Sequence, residues 1–266
     1  MIGQHFLRNL VERRSLLAQL VRRDFEQRYV GSIAGWLWGL VHPLVLILSW
    51  TFVFQYCLRT PMPPGEVTGN YSIFLVCGFL PWMLFQETVT RSANCIVENA
   101  NLITKTVFPS EILPLSVFLS SLLNHLMALV LTLAVIGVWL QKFSPMVLTL
   151  PLYMLLVGLF AVGIAWIVAA VQVYLRDTAQ LVSVALTFWF WLTPIFLSAE
   201  QFPPNFRFLL AINPLSYFVG AYRERMLSYR LPHPEELALL AAYSVAVFFL
   251  GGLFFRHLKR GFADVL

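Results

Sequence analysis

The sequence predicts an all-α integral membrane protein with six transmembrane helices, preceded by an N-terminal amphipathic helix at the membrane interface. Three observations carry this. First, 59% of the 266 residues are hydrophobic and only 12% are charged, whereas a soluble domain carries about 25% charged residues. That is too little charge to cover a surface in water, so part of the solvent is lipid. Second, six apolar runs match the roughly 20 residues needed to cross a hydrocarbon core: 34–58, 71–92, 112–140, 146–172, 179–198 and 237–255. Third, the basic residues segregate. Six spans put both termini on one side. On that side lie Arg8, Arg13, Arg14, Arg22, Arg23 and Arg28, then Arg91, Lys105, Arg176, Arg256, Lys259 and Arg260. The other side holds Arg59, Lys142, Arg207, Arg223, Arg225 and Arg230. The positive-inside rule therefore places both termini and the stretch 98–114 in the cytoplasm. The net charge of +5 reads as basic loops at a membrane and not as a nucleic-acid footprint.

The elements follow in order. Residues 1–32 are not a span. Phe6, Leu10, Leu17, Leu20, Val21 and Phe25 recur at three- and four-residue spacing with arginines opposite, the pattern of a helix lying in the headgroup plane above anionic lipid. A solvated amphipathic helix packed on a partner subunit has the same pattern. The first thirty residues hold no compact apolar core before a cleavage site, so they do not read as a signal peptide. Between the second and third runs stands ENANLITKTVFPSEILP (98–114), too long for a turn and too short for a domain. Pro109 biases Phe108 away from helix. Ser110 is placed to cap the next helix, with Glu111 in its first turn. Between 199 and 236, FRFLLAI (206–212) and LSYFVGAY (215–222) flank Asn213 and Pro214. Neither piece is long enough to cross. They are either two half-helices dipping in from the outer face, where protein or a water-filled cavity shields irregular backbone, or two surface helices of an ordinary outer loop.

No catalytic or metal set is visible. The aspartates Asp24, Asp177 and Asp264 are far apart, the five histidines are isolated, and Cys57, Cys77 and Cys95 show neither disulfide nor metal spacing. None of the lysines, Lys105, Lys142 and Lys259, follows a glycine, so the phosphate-cradling loop that requires Gly-Lys is missing. If the protein moves something uphill, another chain supplies the energy. Glu87 and His125 are the ionisable groups within the spans and candidates for function on that ground. The plainer readings are a solvated or cross-bonded Glu87 near a helix end and a helix-packing His125.

ENANLITKTVFPSEILPL closely resembles the cytoplasmic loop of ABC-2 type permeases, in particular the membrane subunits that export O-antigen, capsule and teichoic-acid polysaccharides. Five further stretches resemble that family in its order: LVRRDFEQRYVGSIAGWLWGLVHPL (20–44), CGFLPWMLFQE (77–87), YLRDTAQLV (174–182), WLTPIF (191–196) with INPLSYFVGAYRERML (212–227), and KRGFADVL (259–266). The resemblance implies one transmembrane domain over 1–266. It implies a homodimer with two copies of an ATP-binding subunit, which holds ATP and magnesium while this chain binds no cofactor. It implies a coupling helix over 98–109, with Glu98, Asn99, Asn101, Leu102 and Lys105 as contact candidates and Pro109 as its end. It favours the re-entrant reading of 202–227, with Pro203, Pro204, Asn213, Pro214 and Arg223 as gate residues. The implied substrate is a lipid-linked polysaccharide, and the implied place is a bacterial inner membrane.

Aromatic walls suit a polymer that is apolar on its ring faces and must slide. Phe188, Trp189, Phe190 and Trp191 are consecutive, so on a helix they point all round and cannot all line a path. Trp36, Trp38, Trp82 and Trp139 read as interfacial anchors, and Pro43, Pro81 and Pro194 as candidate kinks. The rival readings are an ABC-2 exporter of a drug or lipid, a membrane enzyme of glycan assembly, and a scaffold for other membrane proteins.

Overall fold

Asn70 begins the structural centre of the molecule. Its side-chain oxygen accepts from the backbone amides of Ser72 and Ile73, an N-cap for the 28-residue helix Tyr71–Glu98. The computed structural model describes residues 13–28, 31–32, 35–60, 68–106, 108–141 and 144–266. The expectations for Phe6, Arg8, Leu10 and Lys142, and for the side chains of Trp36 and Trp139, lie outside these. The described residues form α-helices α1 (Arg14–Gln27), α2 (Trp38–Thr51, extended by a π-helical turn Phe52–Cys57), α3 (Tyr71–Glu98), α4 (Ala100–Lys105), α5 (Ile112–Leu140), α6 (Leu150–Tyr174), α7 (Thr178–Leu192), α8 (Arg207–Ile212), α9 (Pro214–Leu227), α10 (Pro234–Leu258) and α11 (Phe262–Val265). No strand occurs among them.

Five of these segments are long and apolar enough to cross a membrane: Trp38–Cys57, Tyr71–Glu98, Ile112–Val138, Pro145–Tyr174 and Pro234–Gly261. The chain is a multi-pass membrane protein. The helix in the expected span 179–198 is too short to count among these. Helix α7 has 15 residues and stops at Leu192, with Thr193 in extended backbone, because the residue before Pro194 is pushed out of helical geometry.

Helices α3 and α6 are buried on most sides and pack against each other, with α5 and α9 on α3 and α10 on α6. The α6–α10 crossing is set by two glycines. A Cβ at Gly251 would strike the Gly163 backbone, and one at Gly163 would sit 2.5 Å from the Val247 carbonyl oxygen. Such small-residue crossings let helix backbones touch where no hydrophobic effect drives association. Helix α10 starts with Pro234, Glu235 and Glu236 and ends with Arg256 and His257, matching proline's preset geometry and the helix dipole. Trp82 is not an interfacial anchor. It is fully buried in α3, and its indole donates to Gln86 at 2.6 Å. Trp38 is half exposed at the start of α2.

One end of the bundle gathers α1, α4 and the C-terminus. Arg23 donates to Asn99, Lys259 ion-pairs with Glu111, Tyr174 donates to the Leu258 carbonyl at 2.8 Å, and α11 packs on α4. The opposite end joins α3 to 193–198 and α9, where Tyr71 donates to the Phe196 carbonyl at 3.1 Å.

Candidate functional site

A helix forms inside the segment 98–109 but is shorter than expected. Glu98 is the last residue of α3, and Asn99 breaks the chain at φ −108°, ψ 23°, its amide donating back to the Cys95 carbonyl at 2.8 Å. Helix α4 then runs only from Ala100 to Lys105, with Thr106 extended. Thr104 and Thr106 each bond the carbonyl four residues back, at 3.0 and 2.6 Å. Such back-bonding by stiff β-branched residues competes with helix continuation. Pro109 therefore lies beyond the helix and does not end it. Asn101 and Lys105 are exposed, Leu102 is half-buried, and Ile103 packs on the core. Ser110 does not cap α5. Helix α5 begins at Ile112 with no side-chain cap, the Ile112 amide is met by the Pro109 carbonyl at 3.0 Å, and the Ser110 hydroxyl is buried without a hydrogen-bond partner. Glu111 serves Lys259 instead.

Helix α1 is tied to the bundle more firmly than an interfacial helix requires. Leu16, Leu17 and Leu20 pack on the core. Asp24 accepts two bonds from Arg91 at 3.0 and 2.8 Å and lies 3.5 Å from Arg28. Arg28, its side chain 9% exposed, ion-pairs with Glu87 of α3 and donates to Ser121 of α5 at 3.1 Å. Asn124 donates to the same Glu87 carboxylate at 3.3 Å. Glu87 is thus bonded across helices. Arg22 and Glu26 form the outward pair, and their hydrogen bond pushes the Arg22 pKa further up. The sequence expectation that arginines fill only the outer face fails at Arg28. The available signal was spacing: Glu87 and Arg91 lie one turn apart on α3, and Asp24 lies four residues before Arg28 at the end of α1. Beside Asn124, His125 is buried and pairs through Nε2 with the Tyr222 hydroxyl of α9 at 3.2 Å.

At the other end, Asn213 joins the two re-entrant candidates to α7. Its side-chain oxygen accepts from the Leu215 amide at 3.0 Å, capping α9, and from the Trp189 indole at 2.9 Å. Its amide donates to the Thr193 hydroxyl at 3.2 Å. Pro214 occupies the first turn of α9 and Pro204 begins a 3₁₀ turn after Pro203. Arg223 is buried and donates to the carbonyls of Phe74, Pro194 and Ile195. Of the four aromatics, Phe188 and Trp191 are 67% and 56% exposed. Trp189 and Phe190 turn inward onto the core. The structure thus joins Asn213 to Trp189 and Thr193, and Arg223 to Pro194 and Ile195 just beyond, with Asn99, Leu102 and Lys105 at the far end.

The ABC-2 type transporter family model matches residues 15–227. The chain is 32% identical to the O-antigen export system permease protein RfbA of Myxococcus xanthus, over 97% of this chain and 98% of that protein. It is 29% identical to the protein of the same name from Klebsiella pneumoniae, over 94% and 95%. To the polysialic acid transport protein KpsM of Escherichia coli it is 23% identical, over 89% and 91%. With a helical bundle of membrane-spanning length and the family model matched over most of its length, the chain belongs to the ABC-2 type transporter family.

Proposed function

We propose that this chain is the permease subunit of an ABC transporter that exports a lipid-linked polysaccharide, O-antigen foremost, across a bacterial inner membrane. The observation that carries the reading is the end-to-end similarity to a protein named as an O-antigen export permease. In this reading the chain is a transport subunit and not an enzyme, and ATP with magnesium binds a separate subunit. Two permeases pair above two such subunits. Helix α7 serves as the sixth span, and α8 with α9 form the re-entrant pair. The end bearing α1, α4 and α11 faces the cytoplasm, since that end carries the larger share of Lys and Arg. Exposed Asn101 and Lys105 on α4 meet the ATP-binding subunit. The ion pairs from Asp24 and Arg28 to α3 carry its movement to α1.

The test is deletion of the gene followed by fractionation of surface polysaccharide. Polymer made but retained inside on its lipid carrier is the expected result. Polymer never made points to an assembly enzyme, and normal surface polymer points to a drug or lipid exporter. In the complemented strain, Asn101→Ala with Lys105→Glu should uncouple ATP hydrolysis from export while leaving the protein in the membrane. Intact coupling in that variant rules out the role given to α4.

A further inference from the structure

Helix α9 places an arginine inside the bundle at a point where the chain has broken. Helix α7 ends at Leu192, and the backbone turns through 193–198 among buried residues. The carbonyls of Pro194 and Ile195 lie past the last helical turn, so no helix satisfies them. A carbonyl buried away from water needs a hydrogen-bond partner, and here one guanidinium answers both. Arg223 Nη1 donates to Pro194 at 2.8 Å, Nη2 to Ile195 at 2.6 Å, and Nε to Phe74 of α3 at 3.2 Å. The guanidinium carbon stands 3.6 Å from the centre of the Phe74 ring, a cation–π contact. The plane has room because Gly78, one turn along α3 from Phe74, has no side chain. A Cβ there would sit 2.6 Å from Nη2 and 2.9 Å from Cζ. Three carbonyl acceptors, a ring face and a glycine notch all fit a planar fork of fixed donors. A lysine supplies a point charge on a flexible stem and does not reproduce that geometry.

We propose that Arg223 is a positioning residue that splices the broken outer end of α7 to α9 and α3. Segment 193–198 and helix α9 then shift as one block when the path opens. Three of its N–H donors are held by backbone carbonyls and the side chain is buried, so its task is holding the block and not binding an anionic substrate. The proposal deepens the export reading, and only its transport readout rests on it.

The test compares Arg223→Lys with Gly78→Ala in a Cys57→Ser background, with a nitroxide on Glu200→Cys beside the block. Arg223→Ala empties a buried site and is expected to lower the amount of protein in the membrane, so the two conservative changes are the informative pair. Arg223→Lys keeps the charge and loses the fork. Gly78→Ala keeps the arginine and closes the notch. Both should narrow the nitroxide spectrum, and both should cut surface polymer about tenfold or more, the order expected from losing a charge-assisted hydrogen bond, with ATP hydrolysis retained. A narrowed spectrum in only one variant, or in neither, overturns the splice. Narrowed spectra with export intact in either variant overturn its role in the path. If the unmodified chain restores no polymer to the deletion strain, the export reading fails, and the spectra alone judge the splice.

Discussion

Glu87 shows how one residue's neighbours settle its meaning. A carboxylate inside a span invites a transport role, yet here it answers Arg28, which is nearly buried, and accepts from Asn124. Removing Glu87 leaves the Arg28 charge with only the longer contact to Asp24 at 3.5 Å, at a cost of up to about 3–5 kcal/mol. Glu87→Ala should therefore lower the thermal midpoint of the detergent-solubilised protein sharply. Arg28→Leu added to it should recover much of the loss, because the stranded charge is gone. Equal melting of the single and double variants counts against the pair. The carboxylate could be found in the sequence but its partner could not, since the two are 59 positions apart and only folding brings them together. Arg223 is the same case: the sequence shows it only as the first residue of an Arg-Glu-Arg run, and its three carbonyl partners were not legible.

Elements were legible where their signals are local. The long apolar runs became helices with ends close to those expected, and the break at Asn213 and Pro214 fell where the sequence put it. The errors came where a short-range bond competed with an apolar run. Thr104 and Thr106 ended α4 early, the residue before Pro194 cut α7 short, and Ser110 lost its capping place to the Pro109 carbonyl. Close helix approach was also hidden, because a glycine in an apolar run looks the same whether or not another backbone lies on it. At the α6–α10 crossing the distinction is measurable. Gly251→Ala must push apart two backbones, and overpacking of this kind costs about 1–3 kcal/mol. Gly220→Ala, where nothing lies within 4 Å, should be close to neutral. Thermal melting of the two variants side by side checks this, and equal losses would refute a glycine-set crossing.

At the scale of the whole molecule, α1, α4 and α11 share one end, while 193–198 and 228–233 belong to the other. Alkaline phosphatase fused after Leu266 should be inactive, and the same enzyme fused after Leu231 active. A reversed pattern would invert the assigned orientation. The bundle is also uneven across its width. Five segments are long enough to span the bilayer, but α7, with its outward Leu181, Val184, Phe188 and Trp191, has only 15 residues. At 1.5 Å per residue its axis measures about 22 Å, against a hydrocarbon layer of roughly 30 Å. A helix too short for its surroundings draws the leaflets together beside it. With α7 as the sixth span proposed above, hydrophobic mismatch would make the membrane thinnest along it, and a polar cargo travelling there would cross less hydrocarbon than along any of the five longer segments.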